Sequence, residues 1–132
     1  MVKYKDVGAG TPLLFIHGFP FSGSAWEKQV QKFKQSHRVI VPDLSEGSSI
    51  DQFADSIQVL IKKLDCGQVV LIGHSMGGYV ALNFALRYPL LLKRLVLVAT
   101  KSGADTAEAA AGRITLAEKV KNEGAQVVAD AM

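Results

Sequence analysis

The sequence predicts an α/β protein of three layers (α/β/α), in which helices cover both faces of a mostly parallel sheet. Short apolar runs rich in β-branched residues recur along the chain without the in-and-out alternation of half-exposed strands, which is typical of strands buried on both sides. Helical patterns separate these runs, and such alternation favours parallel pairing through right-handed crossovers. The four runs are residues 13–16, 38–41, 69–72 and 95–98.

The first elements are a short strand at residues 2–6 and a helix that follows Ser24. The strand leads into the turn Gly8-Ala9-Gly10, and we expect it to pair beside the run at residues 13–16. Ser24-Ala25-Trp26-Glu27 has the form of a capping box, which starts a helix. The apolar face of this helix consists of Trp26, Val30 and Phe33.

Two longer helices follow. Ser49-Ile50-Asp51-Gln52 is a second capping box, and it begins a stripe of apolar residues at helical spacing that runs to Leu64 and ends near Gly67. A third helix follows Ser75 and stops at Pro89. We expect the apolar faces of these helices to pack against the sheet.

The composition changes after Thr100. Residues 105–121 are rich in Ala, Glu and Lys, with an N-cap in Asp105-Thr106-Ala107-Glu108 and an end near Gly124, and no further strand follows. The chain therefore divides into a core at residues 1–100 and a helical region at residues 101–132.

The composition and net charge of the chain argue against several classes of function. The chain has 132 residues, 48% of them hydrophobic and 20% charged, as in a globular protein. A net charge of +3, with the basic residues scattered, gives no electrostatic reason to expect nucleic acid or a membrane surface as partner. The N-terminal residues do not form a secretory signal. A single cysteine, Cys66, cannot form an internal disulfide and fits a reducing cytoplasm, and we expect this thiol to be structural.

The segment Gly73-His74-Ser75-Met76-Gly77 carries the chemistry. Small residues two positions before and after a serine are required where a strand turns abruptly into a helix, as at a nucleophile elbow. Here the motif lies between a predicted buried strand and an amphipathic helix, so Ser75 is the candidate nucleophile, supported by Gly73 and Gly77. The alternative is a glycine-rich turn that binds phosphate at a helix N-terminus. The absence of a nearby Lys and of the Rossmann glycine spacing disfavours it.

The elbow also predicts an oxyanion hole. One donor is the backbone N–H of the residue after the nucleophile, Met76. The second is expected from the loop after an earlier strand, where Gly18 permits a sharp bend and the N–H of Phe19 follows. Two such donors stabilise a developing oxyanion by about 3 kcal/mol each. His17 precedes this bend, and we expect it to hold the loop rather than to act as a base.

Three motifs in this order make the chain resemble an α/β-hydrolase. They are Phe15-Ile16-His17-Gly18-Phe19-Pro20, Val41-Pro42-Asp43-Leu44 and Leu71-Ile72-Gly73-His74-Ser75-Met76-Gly77-Gly78-Tyr79, and Arg87-Tyr88-Pro89 with the last apolar run extends the match. The resemblance is to the small esterase, enol-lactonase and haloperoxidase-like subgroup. It implies a hydrolase with a Ser nucleophile, an ester-like small-molecule substrate and no cofactor or metal, and it places the start of the helical cap at residues 101–132.

Two departures from the family pattern stand out. The loop after Asp43 is the shortened Leu44-Ser45-Glu46-Gly47-Ser48-Ser49 in place of an Arg-Gly-x-Gly-x-Ser pattern, which is expected to alter one wall of the pocket entrance. The family also places its catalytic acid after its seventh strand and its His after its eighth, whereas this chain stops before both. The prediction is thus a truncated α/β-hydrolase fold that lacks the last two strands.

No histidine of the chain is an obvious base for Ser75. His74 should diverge from its neighbour, His37 lies in a turn expected at the surface, and His17 lies on the wrong side of the oxyanion hole. The leading hypothesis is a serine hydrolase whose acid and base lie on a C-terminal half that this chain lacks. A non-catalytic ligand- or partner-binding fragment of the same fold is the alternative, although binding alone would not need a strained serine. Haloperoxidase-like or acyl-transfer chemistry at the same site is the third. The last strand would leave an exposed edge, open to a second copy or to a complementing C-terminal half.

Overall fold

A five-stranded sheet organises most of the chain in the computed structural model, which describes residues 2–132. The strand order is β1-β3-β2-β4-β5. β1 runs antiparallel to β3, and all other neighbours are parallel, as predicted for a mostly parallel sheet. The strands are β1 (Lys3–Val7), β2 (Pro12–Ile16), β3 (Arg38–Asp43), β4 (Val69–His74) and β5 (Leu92–Val98).

The predicted pairing of the first strand is wrong. β1 lies beside β3, not beside β2, because β2 is already paired on both sides by β3 and β4. The turn after β1 explains how the chain passes from β1, on one side of β3, to β2 on the other side. Gly8 has a φ of 78° and passes so close to the turn that leads into β3 that a Cβ there would lie 2.2 Å from the carbonyl oxygen of His37. This passage carries the chain from the outer edge of the sheet past β3 into β2.

Helices cover both faces of the sheet, which confirms the three layers. α1 (Glu27–Phe33) lies on one face, and α2 (Ile50–Lys63) and α3 (Met76–Arg87) lie on the other. β2 shows the division, since Leu13 and Phe15 belong to one apolar cluster while Leu14 and Ile16 belong to the other. The larger cluster includes Ile57, Ile61, Val80 and Phe84 from α2 and α3, and the smaller one includes Val30 from α1.

Of the two capping serines that the sequence predicts, the structure confirms Ser49 and not Ser24. Ser49 caps α2, and its hydroxyl accepts a hydrogen bond of 3.2 Å from the Gln52 N–H. The box predicted at Ser24 is wrong, because a 3-10 turn over Gly23–Trp26 precedes α1 and Ser22 is its cap. Only Ser24 has a Glu three residues later, but the extra turn begins before it, so the capping serine is the earlier Ser22.

Residues after the sheet form a separate compact unit, Gly103–Met132, while the first unit ends at Ser102. The second unit contains α4 (Ala107–Glu123) and α5 (Gln126–Asp130). Thr106 is the N-cap of α4 and accepts a hydrogen bond from the Ala109 N–H. The helix ends at Gly124, which has a φ of 87°. Its assignment to a cap stays a prediction.

No helix within residues 2–132 is both long and apolar enough to cross a membrane. Within the same range, His, Cys, Asp and Glu side chains form no group of three that could hold a metal ion.

Candidate functional site

The carboxyl ends of the parallel strands bring the predicted site residues together. β2 ends at Ile16 and continues into the His17–Phe19 loop, while β4 ends at His74 and continues through Ser75 into α3. The two strands are direct neighbours, with Ile16 opposite Gly73. In open α/β sheets, ligands bind where such strand ends meet. The sheet thus places the predicted oxyanion loop beside the predicted elbow.

Ser75 has the backbone of a sharp strand-to-helix turn. Its φ is 52° and its ψ is −115°, a conformation that residues with a side chain rarely adopt. Its N–H donates to the carbonyl oxygen of Val98 at 3.0 Å, and its own carbonyl oxygen accepts from the Gly78 N–H at 2.9 Å. The Thr100 hydroxyl donates to the same oxygen at 2.8 Å. Three hydrogen bonds therefore hold the strained residue in place.

The glycines on each side of Ser75 are fixed by close packing. A Cβ at Gly73 would lie 2.4 Å from the carbonyl oxygen of Gly77, across the turn. A Cβ at Gly77 would lie 2.4 Å from the carbonyl oxygen of Ile16, at the end of β2. Either methyl group would force strand and helix apart, so the sharp turn at Ser75 requires glycine at both positions.

The loop after β2 approaches the elbow closely at Gly18, where a Cβ would lie 3.0 Å from the Cβ of Ser75. The loop turns there, and the Phe21 N–H donates to the Gly18 carbonyl oxygen at 2.9 Å. Phe19 is 55% exposed. Within residues 2–132, the backbone N–H groups of Phe19 and Met76 donate to no protein acceptor, so both are free for an oxyanion.

His17 is buried, and its side chain connects the end of β2 to the end of β3. Its side chain is 3% exposed. The Leu44 N–H donates to its Nε2 at 3.0 Å, so Nε2 is the acceptor nitrogen and Nδ1 carries the proton. Nδ1 then donates to the Gly18 carbonyl oxygen at 3.0 Å. Asp43 lies 3.4 Å from Nε2, but that nitrogen is already occupied by the Leu44 N–H. Both ring nitrogens are therefore engaged in holding the loop to β3.

Neither of the other two histidines is hydrogen-bonded to Ser75, although Nδ1 of His74 would lie 3.0 Å from a Cβ at Gly18. The ring of His74 packs edge-on against Trp26, with 6.2 Å between the ring centroids. His37 lies half-buried rather than exposed as expected, because its ring meets Phe33 edge-on and its Nδ1 contacts the Ser36 hydroxyl at 2.9 Å. Among residues 2–132, no side chain makes a hydrogen bond to the Ser75 hydroxyl.

Sequence reasoning missed the part played by Thr100. The sequence marks this residue only as the point after which the composition changes, whereas its hydroxyl donates a hydrogen bond to the Ser75 backbone carbonyl. A hydroxyl residue at the end of the strand after the elbow is the only signal available in the sequence. That signal is weak, since 25 residues separate the two partners.

A strained serine at a strand-to-helix turn, flanked by glycines and facing a loop with free N–H groups, defines the architecture of an α/β-hydrolase. The chain belongs to this family, since the family model described as the alpha/beta hydrolase fold matches residues 11–127.

Individual relatives agree with this assignment. A thermophilic esterase from Thermogutta terrifontis is 35% identical, with a TM-score of 0.93 over 99% of this chain and 52% of its own. An N-acyl homoserine lactone degrading enzyme is 26% identical, with a TM-score of 0.76 over 92% of this chain and 49% of its own. A protein from Synechocystis sp., described as a putative non-heme chloroperoxidase, is 42% identical over 86 residues, which are 58% of this chain and 31% of that protein. The chain thus spans 31% to 52% of the length of these relatives.

Proposed function

We propose that the chain carries the nucleophile half of a serine hydrolase active site, with Ser75 as the nucleophile. The observation that carries this proposal is the φ of 52° at Ser75, because strained backbone persists only where the surrounding structure over-determines it, most often at functional sites. The Ser75 hydroxyl makes no bond among residues 2–132, so its position is not explained by a structural hydrogen bond.

In the proposed reaction, the Ser75 oxygen attacks the carbonyl carbon of an ester, thioester or lactone. A carbon–oxygen bond forms, the serine proton passes to a base, and the carbonyl electrons move onto oxygen. The N–H groups of Phe19 and Met76 then donate to that oxyanion, while Gly18 and His17 hold the loop that presents Phe19. The relatives named as an esterase and as a lactone degrading enzyme support a carbonyl substrate.

A serine is a weak nucleophile until a base accepts its proton, and no histidine among residues 2–132 is hydrogen-bonded to the Ser75 hydroxyl. The base and its acid are therefore to be sought in the part of the hydrolase fold that the relatives contain and this chain does not span. A small-molecule substrate and a cytoplasmic location belong to the same proposal. The relative named as a chloroperoxidase keeps haloperoxidase-like chemistry at the same site open.

The absence of a base beside Ser75 within residues 2–132 favours one alternative, a non-catalytic fragment that binds a ligand or partner chain. A partner chain could bind at the outer edge of β5, because the only neighbour of β5 in the described sheet is β4. Val96, Leu97 and Val98 are each about two-fifths exposed there. An apolar edge strand of this kind pairs readily with another chain, either a second copy or one that carries the rest of the fold.

A fluorophosphonate probe distinguishes the two functions. Attack by the Ser75 oxygen on phosphorus expels fluoride, and intact mass measures the phosphonyl group that remains. Because an oxyanion hole leaves residual reactivity even where the base is missing, we expect slow labelling, under a large excess of probe, of the wild type and of a Ser102→Ala control, which removes an exposed serine, and none of Ser75→Ala. Equal masses for probe-treated and untreated wild type would contradict an activated nucleophile in this chain and support the binding fragment.

A further inference from the structure

The two peptide groups on either side of Ser75 are held by the end of β5 and by Thr100 just beyond it, not only by the elbow itself. The Ser75 N–H is bonded to the Val98 carbonyl oxygen at 3.0 Å, and the Ser75 carbonyl oxygen accepts from Thr100 Oγ1 at 2.8 Å. A second donor to the same oxygen, the Gly78 N–H, belongs to the first turn of α3. Among residues 2–132, the Thr100 hydroxyl is therefore the only side-chain group that is hydrogen-bonded to the peptide joining Ser75 to Met76.

The direction of the Ser75 carbonyl fixes the direction of the Met76 N–H. A trans peptide is planar, and its C=O and N–H point to opposite sides of the chain. When Thr100 and Gly78 draw the carbonyl oxygen to one side, the Met76 N–H must point to the other. That N–H donates to no protein acceptor within residues 2–132, as an oxyanion donor requires.

Two further features fix the Thr100 side chain itself. Ala99, the residue before it, has a φ of 46°, which a residue with a Cβ adopts only under constraint. Gly78 packs directly against Thr100, since a Cβ at Gly78 would lie 2.4 Å from Oγ1 and 2.5 Å from Cβ and Cγ2. The hydroxyl therefore has little freedom to leave the Ser75 carbonyl.

We propose that Thr100 is a positioning residue for the oxyanion hole. Its hydroxyl holds the Ser75–Met76 peptide so that the Met76 N–H points towards the place where the substrate oxyanion forms. This inference rests on the proposed function of Ser75. Thr100 itself touches no reacting atom, and it acts through the plane of the peptide.

The test compares Thr100→Val, which keeps the shape and removes the hydroxyl, with Thr100→Ser, which keeps the hydroxyl. Thr115→Val is the matched control, because it removes a Thr hydroxyl bonded to the Ala111 carbonyl oxygen in α4. Each variant is made in the full chain with ¹⁵N-labelled methionine, and the Met76 amide signal is identified by its loss in Met76→Leu. The Met132 amide is the internal reference. Should Thr100→Val not fold, Thr100→Ala replaces it.

We expect the Met76 amide signal to shift in Thr100→Val and to keep its position in Thr100→Ser and Thr115→Val. We also expect fluorophosphonate labelling of Ser75 to slow about tenfold in Thr100→Val only, less than the roughly 10²–10³-fold loss on removing a whole oxyanion donor. An unmoved Met76 signal in Thr100→Val would overturn the proposal. So would failure of Thr100→Ser to restore both readouts, or an unchanged labelling rate beside a shifted signal.

The two readouts allow the role of Thr100 and the proposed function of Ser75 to fail independently. If the wild type does not react with the probe, the activated nucleophile is refuted for this chain. The Met76 signal still decides whether the Thr100 hydroxyl orients the peptide. An unmoved signal then refutes that orientation, and a shift that Thr100→Ser reverses supports it.

Discussion

Replacing Ser75 by glycine is expected to stabilise the protein, because the native backbone there is strained. Ser75 has φ 52° and ψ −115°, and such a conformation costs a residue with a Cβ about 1–3 kcal/mol. Glycine adopts it freely, but loses about 0.5–1 kcal/mol more conformational entropy on folding. The net expectation is a free energy of unfolding about 0–2.5 kcal/mol higher in Ser75→Gly, with a central value of about 1–1.5 kcal/mol.

The matched control is Ser75→Ala, which keeps the Cβ and hence the strain. The Ser75 hydroxyl has no hydrogen-bond partner among residues 2–132, so alanine removes no bond, and we expect a change below about 0.5 kcal/mol. The difference between the two variants isolates the strain from the loss of the hydroxyl.

Urea unfolding measures this difference, followed by the fluorescence of Trp26, the single tryptophan of the chain. The Trp26 ring packs against Phe15 and His74, so its emission reports on the sheet beside the elbow. With a denaturant slope of about 2 kcal/mol per molar, the midpoint of Ser75→Gly should rise by about 0.5–1 M. A midpoint no higher than that of Ser75→Ala would refute the assignment of strain to this residue.

Three other predictions concern the surroundings of the elbow and the thiol. His17→Ala removes the acceptor for the buried Leu44 N–H, so we expect the free energy of unfolding to fall by about 2–4 kcal/mol in urea, and an unchanged midpoint would show that this hydrogen bond is dispensable. Gly77→Ala brings a methyl group within 2.4 Å of a β2 carbonyl oxygen and should destabilise by about 3 kcal/mol or more. Its counterpart Gly112→Ala, in an open helical position of α4, should stabilise by about 0.5–1 kcal/mol, and equal effects would contradict the packing argument. Burial raises the pKa of the Cys66 thiol, so less thiolate forms at mildly alkaline pH, and iodoacetamide should alkylate the folded protein more slowly than the urea-unfolded chain by intact mass.

The strands and helices could be predicted because their signals are local. Apolar runs, capping serines and breaking residues lie within a few positions of the elements they define, and β4, α2 and α3 were placed within one or two residues. The setting of Ser75 between a strand and a helix was predictable for the same reason, since Gly73 and Gly77 restrict the backbone on each side.

The features that the sequence did not reveal depend on contacts between distant residues. The pairing of β1 with β3 follows from the passage of Gly8 against the His37 carbonyl, 29 positions further along the chain. The choice of Ser22 over Ser24 as a cap depends on a 3-10 turn over Gly23–Trp26, which the capping-box pattern does not signal. The bond from Thr100 to the Ser75 carbonyl has no local signature, because a threonine at a strand end is ordinary in any sheet.

The position of β5 has a consequence for the dynamics of the elbow. Val98 and Thr100 anchor the Ser75 backbone, and they lie at and just beyond the end of the outermost strand of the described sheet. Outer strands open more readily than central ones in native-state fluctuations. Fraying at the end of β5 would break two of the three hydrogen bonds that restrain Ser75. The elbow therefore keeps its strained geometry only while the end of β5 stays paired. A chain that docks on the free edge of β5 would slow its fraying, and so lengthen the residence of Ser75 in that geometry without touching it.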